Sequence, residues 1–76
     1  MVTIVASWDE RTAEARIHMS LDSMMFDRDT RLSMAQAKVE ELEASYGDEP
    51  IELMVASARS LDEFKKTDPR FYNAPF

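Results

Sequence analysis

Apolar and polar positions alternate in two blocks at the start of the chain. Val2, Ile4, Ala6 and Trp8 recur at every second position. Side chains of a strand point to opposite faces in turn, so these four share one face of a first strand, Val2 to Trp8. Asp9-Glu10-Arg11-Thr12 is polar and turn-like. From Ala13 to Leu21 the alternation is strict. Ala13, Ala15, Ile17, Met19 and Leu21 are apolar, and Glu14, Arg16, His18 and Ser20 are polar. This pattern predicts a second, half-buried strand, and the two runs together predict a hairpin. A helical reading competes. Ser7 and Glu10 form an S-x-x-E capping box, and Ala13, Ile17, Leu21 and Met25 recur at helical spacing. A helix would strand Ala15 and Met19 on its far side, so the strand reading is preferred.

The period then changes from two to 3.6. Ala35, Val39, Leu42 and Tyr46 form one helical stripe behind the capping pattern Ser33-x-x-Gln36, and Gly47 stands where a left-handed cap is wanted. A helix is predicted from about Met34 to Tyr46. After Pro50, Ile51, Leu53 and Val55 alternate with Glu52, Met54 and Ala56 and predict a third strand. Ser60-x-x-Glu63 opens a short helix, Leu61 to Lys66, which Asp68-Pro69 stops. Lys65 and Lys66 fall in its last turn, where the helix dipole favours cations.

These elements give an α+β domain over residues 1–69. Its core is a three-stranded antiparallel sheet of order 2-1-3, with the longer helix on one face, and an aromatic tail follows at 70–76. The alternative is a bundle of three helices starting near Trp8, Met34 and Pro50.

Length and composition change this picture at two points. A single domain of 76 residues with no cysteine has neither a disulfide nor a thiolate metal site to staple a small core. Association with another chain, a different protein or a second copy, is therefore expected. Fifteen acidic residues against nine basic ones give a net charge of −6. That balance disfavours direct contact with nucleic acid or an anionic membrane, because both recruit cations. No apolar stretch has the length of a membrane span, and Met1 to Ala6 lacks the basic region of a signal peptide. The expected setting is soluble and cytoplasmic.

Candidate chemistry is sparse. His18 is the only histidine, and on an alternating strand it lies on the polar side between Arg16 and Ser20. No G-x-S-x-G elbow occurs, and one glycine cannot make a phosphate loop. Asp27-Arg28-Asp29-Thr30-Arg31 lacks the glycine of a calcium loop and carries two arginines, so it reads as a structural loop. No catalytic residue, metal ligand or cofactor is assigned, and an enzyme is not expected.

Two apolar groups exceed what one helical stripe requires. Met24, Met25 and Phe26 are consecutive, so one element cannot hide all three on one face; they either fill an irregular core or form a contact surface. The tail supplies Arg70, Phe71, Tyr72 and Phe76, residue types that anchor interfaces. These seven are the candidate partner-binding residues, with the tail either folded onto its own sheet or docking elsewhere. A third feature is acidic: Glu40, Glu41, Glu43, Asp48, Glu49 and Glu52, with no base between Lys38 and Arg59. The expected function is a small acidic protein-binding module, a regulator, inhibitor or accessory subunit. The alternative is an acidic mimic of nucleic acid, such as a virus-encoded inhibitor of a DNA- or RNA-binding machine.

Overall fold

A computed structural model describes residues 1–74. The order is β1 (Val2–Asp9), β2 (Glu14–Asp22), α1 (Arg28–Tyr46), β3 (Ile51–Ala58), α2 (Leu61–Thr67) and a 3-10 turn, Pro69–Phe71. The three strands form one antiparallel sheet of order β2-β1-β3, so the chain is α+β and not a helical bundle. Ser7 lies within β1 and caps nothing.

β1 is the central strand, and Thr3 to Ser7 are all buried. A strand buried at every position must be covered on both sides. On one side Val5, Met19 and Leu53 meet Ala35, Val39, Leu42 and Tyr46 of α1. On the other, Ile4, Ala6 and Ile17 meet Phe64 of α2, Phe71 and Ala74. The C-terminal segment is thus the second cover of the sheet. Phe71 is fully buried, its ring is 5.1 Å from that of Phe64, and Lys65 Nζ donates to the Ala74 carbonyl at 3.1 Å.

Three details differ from the pattern along the chain. The alternation from Ala13 to Leu21 does not mark one face. The register passes from Val5↔Met19 to Ala6↔Ile17, so His18 is the extra residue of a β-bulge. The bulge turns Met19 to the α1 side and leaves Ile17 on the α2 side. The longer helix also starts earlier than Ser33. Asp27 is its cap, accepting from Thr30 N–H at 2.7 Å, while Ser33 and Gln36 lie inside the helix. The segment read as a loop is therefore the first turn of α1, with Asp29 where the helix dipole favours an anion. The hairpin, finally, turns through Ala13 at φ 56°, a left-handed conformation that the alternating pattern does not signal.

The other turn signals act as read. Ser60 Oγ accepts from Glu63 N–H at 3.1 Å and opens α2. Gly47 has φ 60° and ψ −122°, and its N–H closes α1 on the Glu43 carbonyl at 3.0 Å. Among the described residues no helix is long and apolar enough to cross a membrane.

Candidate functional site

The Met24-Met25 pair sits at the apex of a braced turn between β2 and α1. Asp22 holds that turn three times: its carboxylate accepts from Met24 N–H at 2.9 Å, and its carbonyl accepts from Met25 and Phe26 N–H at 3.1 and 3.2 Å. Asp27 then caps the helix that leaves it. The backbone is tied at both ends, and the two side chains still face water, Met24 91% and Met25 76% exposed. Phe26 is half-buried. Met1 joins this end of the sheet. Its N-terminus donates to Ser23 Oγ at 3.3 Å, Ser23 N–H donates to its carbonyl at 2.9 Å, and its side chain is exposed. Met1 was not singled out in the sequence, because nothing local relates it to a turn twenty residues away.

The tail candidates divide. Phe71 is enclosed in the protein's own core and has no surface to offer a partner. Arg70 is engaged within the chain. It donates to Asp68 from Nε at 3.1 Å and from Nη2 at 2.9 Å, stands 3.6 Å from Glu52, and lies over Trp8 at 5.6 Å and Phe71 at 5.4 Å from the ring centroids. Its work is to latch the tail to the sheet end, and Asp68 in turn has its carboxyl held below the usual range by that guanidinium. Tyr72 is exposed. Phe76 lies outside the described residues. The structure therefore does not bring the methionine turn and the tail into one surface.

The acidic residues are also divided. Glu40, Glu41 and Glu43 are exposed on α1, and Asp48 and Glu49 are exposed just beyond it. Lys38 stands 3.5 Å from Glu41, and Arg11 stands 3.9 Å from Glu49. Glu52 pairs across the sheet with Trp8 on the opposite face and meets Arg70. The six carboxylates do not form a continuous patch.

His18 is not the solvated polar residue that strict alternation suggests. The bulge carries its ring to the α1 side, where Nε2 and Ser7 Oγ share a hydrogen bond at 2.7 Å and Tyr46 Oη lies 3.4 Å away. Burial holds the imidazole below its ordinary value, and the Arg16 and Lys38 cations add to this. Ser7 is itself buried, and no carboxylate among the described residues is hydrogen-bonded to the ring. The arrangement has a hydroxyl and a base without the orienting acid of a triad. An open hollow of about 600 Å³ at the hairpin end is lined by Asp9, Arg16, Tyr46, Glu49 and Arg70 among others. Its walls come from both faces of the sheet, so it excludes little water. Among the described residues no three His, Cys, Asp or Glu side chains cluster closely enough to hold a metal ion.

A scan against protein-family models finds no match, and searches of the curated proteins and of the solved structures find none either.

Proposed function

We propose that this protein is a non-enzymatic protein-binding module that contacts its partner with the Met24-Met25 turn. The observation that carries the reading is the combination at that turn: two large apolar side chains in water on a backbone fixed by Asp22 and Asp27. Exposed apolar side chains without a partner are a cost, whereas a rigid turn presenting them loses little entropy on binding. Methionine suits the role because its flexible thioether adapts to an irregular surface. The module would act as a regulator, inhibitor or accessory subunit.

The test compares the tagged wild-type protein with the Met24→Ser/Met25→Ser double variant in affinity capture from the native lysate. Both side chains are exposed, so the variant keeps the wild-type circular-dichroism spectrum and melting temperature. A protein retained by the wild type and lost with the variant supports the reading. Retention of the same proteins with and without the two methionines, or of none by the wild type, overturns it.

The acidic-mimic reading has less to stand on, since Glu41 and Glu49 each have a cation within 4 Å and Glu52 faces the other side. It survives only for the α1 stripe. Reversing Glu40, Glu41 and Glu43 to lysine would then abolish partner binding and its salt dependence.

A further inference from the structure

The two edges of the sheet are not alike. β2 carries the His18 bulge and a polar side chain at every second position, among them Glu14, Arg16 and Asp22. Bulges and edge charges are the devices that keep strands from pairing with another chain. β3 has neither. It runs Ile-Glu-Leu-Met-Val-Ala-Ser-Ala in unbroken register with β1, without proline, glycine or bulge. Its single charge, Glu52, is turned to Arg70. Among the described residues no strand lies beyond it. Val55 at its middle is 43% exposed.

We propose that the free edge of β3 pairs antiparallel with β3 of a second copy of this chain, joining two sheets into one of six strands. A second copy is the occupant that the sequence of the edge fits. Cross-strand neighbours must lie on the same face, so residues on the Val55 side oppose residues on that side. The register that shelters Val55 places it against its own symmetry mate. Leu53 then opposes Ser57, Met54 opposes Ala56, and Glu52 opposes Ala58. The one charge of the strand meets a methyl group and never its own copy, so the pairing opposes no like charges. Every pairing in the protomer is already antiparallel, and the addition continues that geometry. Eight residues at ~3.3 Å each supply roughly 26 Å of edge, enough for a modest dimer. Growth stops at two copies because the outer edges are then both β2.

Sedimentation equilibrium of the full chain over a wide concentration range tests this. The expected result is a mass rising from 8.7 kDa towards twice that value, and rising further with salt as repulsion between the −6 protomers is screened. Val55→Lys and Val55→Glu alone stay monomeric, and mixing them restores the dimer. Ser57→Lys, at an already exposed position, weakens it as well and serves if Val55→Lys does not fold. Outward amides of β3 exchange more slowly as wild-type concentration rises. A mass of 8.7 kDa at every concentration overturns the proposal. So do species larger than a dimer, or a dimer indifferent to the Val55 and Ser57 substitutions. The Met24→Ser/Met25→Ser variant dimerises like the wild type, which separates this outcome from the partner reading.

Discussion

At the residue scale, one polar side chain departs from the place the alternating pattern gives it. His18 sits at an even position of a strict alternation, yet the bulge buries half of it against Ser7 and Tyr46. A bulge adds one residue without altering composition, so the alternating pattern cannot reveal it. The consequence is a pH dependence whose sign follows from linkage. The folded imidazole takes up its proton at lower pH than the ordinary value of 6.5, so the unfolded chain binds more protons in that window. Stability is therefore complete above the ordinary histidine value and declines as pH falls below it. Asp9, Asp27 and Asp68, all held below the carboxylate value of 3.8, act the same way but only in a more acidic window. Thermal melts between pH 7.5 and 5 check this: the wild type loses melting temperature, and His18→Gln, which does not titrate, does not. Equal losses in the two proteins would remove His18 as the cause. Arg31 gives a second prediction. Its Nε and Nη1 are buried with no hydrogen-bond partner, a cost to the fold. Arg31→Met keeps the stem and discards the orphaned donors, and should raise stability by about 1 kcal/mol in urea titration. A loss of stability would show that the guanidinium is satisfied in solution.

At the scale of elements, strands and helices were legible where local chemistry decides them. The Ser60 box and Gly47 act as read because capping needs only neighbours in sequence. Ser33-x-x-Gln36 is a capping pattern of the same kind but stands inside α1, because Asp27 reaches the Thr30 N–H first and nothing from Arg28 to Leu32 breaks a helix. In the sequence Asp27 reads as part of a loop; as the outer cap it prevails because it adds more hydrogen-bonded turns to α1. Asp27→Ala should therefore lower the urea midpoint, while Ser33→Ala leaves it in place. The opposite ranking would place the start of the helix at Ser33. The methionine turn was legible for a related reason. Three consecutive apolar residues cannot share one face, so outside a strand covered on both sides, as β1 is at Ile4, Val5 and Ala6, such a run leaves a side chain in solvent. That Asp22 would brace the turn was not readable, since an aspartate before a turn serves many geometries.

At the scale of the whole molecule, the hydrophobic pattern gave a sheet with a helix on one side and left the other side undecided. The missing cover is Phe64 of α2 with Phe71 and Ala74, and Phe71 falls outside any periodic pattern because it reaches the sheet from a 3-10 turn rather than from a long helix. Phe71 makes the difference between the two possible lives of the tail. Fully buried beside Phe64 and held by Arg70, which reaches Glu52 of β3 and Trp8 of β1, it belongs to the core. Phe71→Ala should cost about 3–5 kcal/mol, most of what a domain this small possesses. The variant is then largely unfolded at 25 °C by circular dichroism. Arg70→Ala removes the latch but not the ring, so it lowers the urea midpoint and leaves the fold. Tyr72→Ala, exposed, leaves both unchanged. If Phe71→Ala instead melted like the wild type, the tail would be a detachable peptide and the second face of the sheet a docking surface. The order of loss, Phe71 before Arg70 before Tyr72, thus measures how far this short chain shelters itself. Among the described residues it leaves uncovered the Met24-Met25 turn with Met1 beside it, Val55 on the unblunted strand edge, and the single side chains Leu32 and Tyr72.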